Sequence, residues 1–204
     1  MPIGYLITHV HEHEREKKTM STLTRSGHLL TAEEFEAEPD DRRTELVEGK
    51  VVEMSPTGYR HGRVQIRIAR LMGNFVDERD LGDVSGESGV ITRRNPDSVR
   101  GPDVMFYSWE RMPKGEATIG FTEVAPEVIF EVLSPSQTLR KLVKKAEEYL
   151  AAGVLCVCIV DPEQRSVMVH ERDMPVLVLT EQDTLQLPAP LADWPPRVGD
   201  FFPE

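Results

Sequence analysis

A glutamate interrupts one of the most apolar segments of the chain, VIFEVL at residues 128–133. The β-branched and aromatic residues of this segment favour a strand, and on a strand Glu131 shares a face with Ile129 and Leu133. An ionised carboxylate in such surroundings costs free energy unless a cation or hydrogen-bond donors meet it. The segment therefore predicts a buried strand in which Glu131 needs a partner. The sequence leaves three explanations for Glu131: a structural ion pair, hydrogen bonds from backbone donors, or a functional role.

A second carboxylate stands at the start of another apolar strand, in RGPDVMFYS. Pro102 directly precedes Asp103, and a proline at the first position of a strand removes no ladder hydrogen bond. If this strand lies beside the strand of Glu131, the two acids converge at one edge of the sheet. Two hard oxygen ligands so close together favour Mg²⁺ or Mn²⁺, completed by a backbone carbonyl and water.

A lysine follows on the next predicted helix, whose apolar residues recur at helical spacing until Gly153. Lys145 lies at the border of the apolar face, one turn before Tyr149, whereas Lys144 points well away. A border lysine can lay its stem on the core and extend its ammonium into a polar pocket. The two carboxylates would lie in that pocket. Extension of the ammonium to water is the alternative.

Local patterns predict the remaining elements. Thr31 and Glu34 have the spacing of a capping box for a short helix, and residues 44–55 resemble two strands about a tight turn at Glu48-Gly49. Residues 61–82 place their apolar side chains on one helical face. A later hairpin turns at DPEQR. This order favours an α/β, or α+β, architecture in which a few helices flank a mixed sheet.

Four arginines lie beside the apolar face of the long helix: Arg60, Arg63, Arg67 and Arg70. They share a stripe, within about 80° of one another at roughly 100° per residue. Such a stripe is suited to a phosphate backbone, but it is also an ordinary solvated helix edge. The formal net charge of −11 counts against broad adhesion to nucleic acid or anionic lipid. It does not exclude a local basic groove.

Residues 1–28 are polar and show no sustained period, so we expect a flexible leader before one domain at residues 29–204. A translation start at Met20 and a metal site at the leader's alternating histidines are further interpretations. No run approaches the ~20 apolar residues of a membrane span, and no basic leader precedes the first apolar piece. We therefore expect a cytoplasmic protein without a membrane partner. Cys156 and Cys158 would point to one face of a strand, which predicts a reduced pair.

Several motifs follow one another in a specific order: GPDV, FEVLSPS, KAEEYLAAGV and a strand that ends in VDP. This succession resembles a bacterial restriction endonuclease-like family of unknown function, within the PD-(D/E)XK nuclease superfamily. The resemblance also includes TAEEFEAEPDDRRTELVEGKVVEMSPTGYRHGRV and the closing VGDFF, so it covers about residues 29–203. It implies a restriction endonuclease-like core with flanking helices and an additional N-terminal hairpin.

The resemblance also implies roles for individual residues. Asp103 and Glu131 match the metal-binding acids of the superfamily. Glu45, in ELVEG, matches an upstream acid that completes the metal shell. The usual lysine two residues after the second acid is Leu133 here, and the lysine that this family carries on the following helix corresponds to Lys145.

Three further positions follow from the resemblance. His61 matches a recurrent histidine, and Arg100, just before GPD, is a candidate phosphate contact. Gln137 stands where the family often has aspartate after SPS. If that aspartate caps the helix, glutamine predicts a looser helix start.

Together these residues predict Mg²⁺- or Mn²⁺-dependent hydrolysis of DNA phosphodiester bonds. The ion would be held by Asp103, Glu131, the Val132 carbonyl and Glu45, while Lys145 orients or deprotonates the attacking water. The predicted substrate contacts are Arg100, His61, Arg60, Arg63 and Arg67. The sequence leaves homodimer formation undecided. It also leaves two alternative functions: a non-cleaving module that binds nucleic acid or protein, and a hydrolase of small phosphate esters.

Overall fold

The computed structural model describes residues 27–37, 43–116, 119–135 and 137–202. Within these residues the chain forms three α-helices and ten β-strands. The helices are α1 (Ala32–Ala37), α2 (Tyr59–Arg79) and α3 (Leu139–Ala151). The strands are β1 (Thr44–Val47), β2 (Lys50–Glu53), β3 (Gly82–Ser85), β4 (Val90–Arg93), β5 (Ser98–Arg100), β6 (Val104–Ser108), β7 (Val128–Val132), β8 (Cys156–Asp161), β9 (Ser166–Glu171) and β10 (Leu177–Thr180). Two short 3₁₀ helices, Leu191–Asp193 and Val198–Phe201, follow β10.

Six strands form the larger sheet, in the order β10-β9-β8-β7-β6-β3. Neighbouring strands are antiparallel except β7 and β8, which run parallel. Parallel strands cannot be joined by a tight turn and need a crossover, and α3 is that crossover. The strand of Glu131 therefore lies in the middle of the sheet, between β8 and the strand that follows Asp103.

Helices cover both faces of the larger sheet, which explains why β6 and β7 are buried along their whole length. On one face, α2 packs against β6 and β7 through Val64, Ile68, Met72 and Val76. On the other face, α3 packs through Leu142, Ala146 and Tyr149. Ile129 and Leu133 belong to the α3 side, so Glu131 shares that face, as the strand alternation predicts.

Four strands form a smaller sheet in the order β2-β1-β5-β4, with antiparallel neighbours. The sequence predicts the first two as an additional hairpin, whereas in the structure this hairpin joins two later strands. The predicted class of mixed α and β structure is confirmed, with two sheets in place of one. Glu48 and Gly49 form the predicted turn with φ of 50° and 75°. A Cβ on Gly49 would lie 2.5 Å from the Cβ of Leu29, so glycine is required there.

Other local predictions are also confirmed. The Glu34 amide donates to Thr31 Oγ1 at 3.2 Å and the Thr31 amide donates to Glu34 Oε2 at 2.9 Å, which is a reciprocal capping box. Cys156 and Cys158 are free and buried. Helix α3 begins after Thr138, which makes no side-chain cap hydrogen bond; a looser helix start stays a prediction.

Residues 1–26 lie outside the described residues, and so do the predicted leader's histidine site and its start at Met20. In the ranges that the structure describes, no helix is long and apolar enough to cross a bilayer.

Candidate active site

Asp103 and Glu131 lie opposite each other at one end of the larger sheet. Strands β6 and β7 pair with Val104 opposite Phe130, and Asp103 and Glu131 are the next pair in that register. Both carboxylates are buried, at 5% and 2% exposure. The structure therefore brings together the two acids that the sequence analysis singled out.

Three groups hold the Asp103 carboxylate. The Val132 amide donates to Oδ2 at 2.7 Å, and His61 Nε2 lies 3.2 Å from the same oxygen. An Arg43 guanidinium nitrogen lies 3.5 Å from Oδ1. Burial by itself raises the pKa of Asp103, but the contact with His61, the Val132 amide and the Lys145 ammonium outweigh it. The pKa is therefore lowered, and Asp103 is held as a carboxylate.

Glu131 lies in more crowded surroundings. The Tyr149 hydroxyl donates to Oε1 at 2.8 Å, and Lys145 Nζ lies 2.8 Å from the same oxygen. Burial raises the pKa of Glu131, Lys145 lowers it, and the charges of Asp103 and Glu45 raise it again, to about 7. Burial is the largest cause of this rise, and the neighbouring carboxylates add to it. A bound cation would favour the ionised form of Glu131.

The ammonium at this site comes from α3. Lys145 Nζ lies 2.8 Å from Glu45 Oε1 as well as 2.8 Å from Glu131 Oε1. Burial by itself lowers the pKa of Lys145, but the two carboxylates raise it above its ordinary value, so the amine is protonated. The helical border position thus delivers the lysine into the polar pocket. Leu133, where the superfamily usually has lysine, instead packs into the hydrophobic cluster beneath α3.

Glu45, on β1, links this lysine to Arg100, on β5. Its Oε1 also accepts from the Gly101 amide at 3.3 Å, and its Oε2 accepts from Arg100 Nη1 at 3.0 Å. Burial by itself raises the pKa of Glu45, but Lys145 and Arg100 outweigh it, so the pKa is lowered. Arg100 also grips Glu148 of α3 through Nε at 2.9 Å and Nη2 at 2.6 Å. A phosphate contact of Arg100 stays a prediction.

These side chains line a cleft of about 720 Å³ between the smaller sheet and α3. Its walls also carry basic residues that no motif predicts: Arg43, Arg93, Lys141 and Lys144.

The four predicted arginines of α2 do not line this cleft within the described residues. Arg67 donates Nε to the Asp200 carbonyl at 2.9 Å, and Arg63 lies over the Tyr59 ring. Arg60 is exposed, as is Arg70. Contact of this stripe with DNA stays a prediction.

A family model named Uma2 and described as "Putative restriction endonuclease" matches residues 31–196. The chain belongs to this family. The structure is also similar to the crystal structure of a "putative nuclease" from Anabaena variabilis ATCC 29413, with a TM-score of 0.76. That match covers 85% of this chain and 97% of that chain at 21% sequence identity, and it shows a restriction endonuclease-like fold. A comparison with curated proteins gives no match.

The described part of this Uma2-family chain contains no group of three or more His, Cys, Asp or Glu side chains arranged as a metal site. Mg²⁺ does not require such a group, because it commonly takes one or two carboxylates and keeps several waters. Asp103 and Glu131 supply two hard oxygen ligands, and the described partners of Glu131 engage Oε1. The donor set therefore fits Mg²⁺ or Mn²⁺. Ligation by Glu45 and the Val132 carbonyl stays a prediction.

Sequence reasoning missed several polar contacts of this Uma2 site. Helical spacing assigns Tyr149 to the apolar face of α3, yet its hydroxyl reaches Glu131. Glu148 had an available signal, because it follows Lys145 by three residues and so lies on the same side of the helix. No local signal points to Arg43. The same holds for Gln65, whose Nε2 donates to the Asp103 carbonyl at 3.0 Å.

Proposed function

We propose that this Uma2-family protein is a Mg²⁺- or Mn²⁺-dependent endonuclease that hydrolyses DNA phosphodiester bonds. The meeting of Asp103, Glu131 and Lys145 in one cleft carries this proposal. Two acids can bind a divalent ion, and an ammonium can offset the charge that develops on phosphorus. Membership of a restriction endonuclease family supports a nuclease-like function.

Asp103 and Glu131 would hold the ion, with the Val132 carbonyl and water completing its shell. When bound, the ion supplies positive charge to a phosphate oxygen and lowers the pKa of a coordinated water. Burial, together with the charges of Asp103 and Glu45, raises the pKa of Glu131 to about 7, and a bound cation would favour its ionised form.

Lys145 would act through its charge. Its carboxylate partners raise its pKa, so the amine is an N–H donor and not a base in this arrangement. From its place 2.8 Å from Glu131 it would donate to the attacking water or to the scissile phosphate. The water oxygen forms a bond to phosphorus while the bond to the leaving oxygen breaks. The proton of the water passes to solvent or to a phosphate oxygen.

His61 would position Asp103. Its Nε2 and the Val132 amide share Oδ2 of Asp103, so the other oxygen is turned toward Arg43. His61 is only 3% exposed, which favours a place behind the acid over direct contact with substrate.

Lys141 and Lys144 are the basic residues best placed to contact the DNA strand. Both are exposed and both line the cleft. Lys141 lies one helical turn before Lys145, so it is a neighbour on the same face of α3. The phosphates on either side of the scissile bond would contact these lysines. The arginines of α2 would act at longer range.

The test is incubation of the purified protein with supercoiled, linear and single-stranded DNA, and with RNA, in Mg²⁺ or Mn²⁺. We expect DNA cleavage that requires the ion and is lost in Asp103→Asn. Asp83→Asn is the matched control, because Asp83 is an exposed aspartate on β3 away from the cleft, and this variant should cleave normally. Cleavage that persists in Asp103→Asn would sink the assignment.

A non-cleaving binding module is the second candidate. The observation in its favour is that Lys145, His61 and Arg43 already partner the two acids without a metal. Titration of the apo protein with Mn²⁺ separates the two functions. Stoichiometric binding that Asp103→Asn removes supports the nuclease, and its absence supports the module.

A further inference from the structure

We infer that Glu45 is a positioning residue for Lys145 and that Arg100 and Glu148 hold Glu45 in place. The smaller sheet thereby sets the geometry of the catalytic amine. This inference rests on the proposed function, because it assigns a task within the same cleft. It differs from the role that the family resemblance implies for Glu45, which is to complete the metal shell.

Both carboxylate oxygens of Glu45 are engaged by this chain's own donors. Oε1 accepts from Lys145 Nζ at 2.8 Å and from the Gly101 amide at 3.3 Å, while Oε2 accepts from Arg100 Nη1 at 3.0 Å. Charged donors at these distances make the strongest class of side-chain hydrogen bond. A metal ion would have to displace at least one of them, whereas Glu131 keeps an oxygen outside its described contacts.

Arg100 fixes Glu45 from the opposite side. Its guanidinium makes a two-pronged contact with Glu148 and places its third nitrogen on Glu45. Such a planar fork restricts orientation far more than a lysine would. Glu148 in turn accepts a hydrogen bond from Thr92, on β4, so the contacts extend across the smaller sheet.

The four charged side chains Lys145, Glu45, Arg100 and Glu148 therefore form an alternating chain of two cations and two anions. The chain starts and ends on α3 and passes through β1 and β5. Glu45 is thereby held against Lys145 Nζ, at 2.8 Å. Its effect falls on the position of Nζ, and a displacement of about 1 Å at a reacting centre can cost about 10²-fold in rate.

The test compares Glu45→Gln, Arg100→Gln and Glu148→Gln with the control Glu163→Gln. We expect kcat to fall by about 10²-fold in Glu45→Gln and Arg100→Gln with KM nearly unchanged. Glu148→Gln should show a smaller fall. Glu163→Gln, at an exposed acid between β8 and β9 outside the cleft lining, should match the wild type. Near-UV circular dichroism establishes which variants are folded. Of the three substitutions, Glu148→Gln should perturb the fold least.

Binding of Mn²⁺ to the apo proteins, followed by electron paramagnetic resonance, separates positioning from metal ligation. The control here is Glu48→Gln, because Glu48 is an exposed acid of the same hairpin that lines the cleft and pairs with Arg93. We expect Glu45→Gln to weaken Mn²⁺ binding no more than Glu48→Gln does, and Arg100→Gln not to weaken it at all. Weakening by Glu45→Gln as severe as that caused by Asp103→Asn would overturn the inference. A raised KM with normal kcat in Arg100→Gln would also overturn it, because Arg100 would then contact substrate.

Acetylation of Lys145 in the apo proteins, measured by mass spectrometry, gives a readout that needs no cleavage. The buried, paired amine should react slowly in the wild type and in Glu48→Gln, and several-fold faster in Glu45→Gln and Arg100→Gln. Unchanged acetylation in folded Glu45→Gln contradicts the positioning role. If the wild type binds no Mn²⁺ and cuts no DNA, the proposed function fails, yet the acetylation result still decides whether Glu45 holds the lysine.

Discussion

The two ends of the β6–β7 strand pair both carry buried carboxylates, but the surroundings of these acids differ. At the end away from the cleft, Glu127 is 4% exposed. It accepts hydrogen bonds from the Ser108 amide at 3.0 Å and from the Ser108 hydroxyl, and Arg111 Nε lies 3.4 Å away. One acid there meets one guanidinium. At the cleft end, Asp103 and Glu131 lie opposite each other.

This difference shows that burial of a carboxylate is not by itself a sign of function. Arg111 also donates Nη1 to the carbonyls of Ala125, Pro126 and Gly153, so the Glu127 pair fastens two loops to the sheet. At the cleft end, burial and the charges of Asp103 and Glu45 raise the pKa of Glu131 to about 7. Two facing carboxylates with a raised pKa, and not burial alone, favour the cleft end as the candidate active site.

The largest expected effect is on DNA cleavage. Glu131→Gln should lower the rate by about 10³-fold or more, because a ligand of the ion and a partner of Lys145 are altered together. Glu127→Gln should cleave within a few-fold of the wild type. Initial rates on supercoiled plasmid in Mg²⁺, at a temperature where both variants are folded, provide the measurement. Equal losses at the two ends would erase the functional distinction between them.

The next expected effect is on the free energy of unfolding, where Glu127→Gln and not Glu131→Gln should cause the larger loss. Glu127→Gln should lower the free energy of unfolding by about 2–4 kcal/mol, because Arg111 and Ser108 lose a charged partner inside the protein. Glu131→Gln should lower it little or raise it, since it removes a crowded charge. Urea unfolding at neutral pH, monitored by circular dichroism, measures both. If Glu131→Gln is the more destabilising change, the proposed difference between the two ends of the β6–β7 pair is wrong.

A pH dependence of stability should accompany Glu131 at the cleft end. Because the folded-state pKa of Glu131 is about 7, above its ordinary 4.5, its contribution to stability is complete below the ordinary value and is lost as the pH rises through about 7. The metal-free wild type should therefore lose about 1–3 kcal/mol relative to Glu131→Gln between about pH 5 and pH 8.

Urea unfolding of the wild type and of Glu131→Gln across this pH range tests the point. Parallel profiles for the wild type and Glu131→Gln would show that Glu131 does not titrate in this window. Added Mg²⁺ should flatten the wild-type profile, because it favours the ionised carboxylate.

The smallest expected effect concerns where DNA approaches the protein. In the Asp103→Asn background, the double change Lys141→Glu/Lys144→Glu should weaken DNA binding about tenfold near 0.1 M salt and reduce the salt dependence. Arg60→Glu/Arg63→Glu, an equal charge change on α2, should weaken it less. Fluorescence anisotropy over a salt series measures both. A larger loss of DNA affinity for the arginine pair would show that DNA docks on α2 instead.

The placement of the candidate-site residues was predictable where the signal was local. Strand alternation placed Glu131, the proline before a strand placed Asp103, and helical periodicity placed Lys145, because each pattern depends on a few neighbouring residues. Glu45 lies far from these residues in sequence, and only the family resemblance pointed to it. Its contacts with Lys145 and Arg100 depend on how two sheets and a helix meet.

Other features of the fold could not follow from local patterns. Periodicity groups the arginines of α2 into one stripe, but the docking of the adjacent apolar face decides which way that stripe points. The smaller sheet arises from pairing between β1 and β5, at Leu46 and Val99, and a hairpin pattern contains no information about a third strand. Long-range pairing of this kind is where single-sequence reasoning ends.

The parallel pairing of β7 and β8 has a consequence for how such proteins are recognised. The chain leaves the sheet after Val132 and returns beside it through α3, and one turn of that helix carries Lys145 Nζ to within 2.8 Å of Glu131. An amine on that turn can take the place of the lysine that the superfamily usually has two positions after Glu131. That strand position no longer needs a lysine, and in this chain it is Leu133. A search that requires the acid and the lysine within one short sequence motif would miss this chain. A search for the same spatial arrangement of side chains would find it.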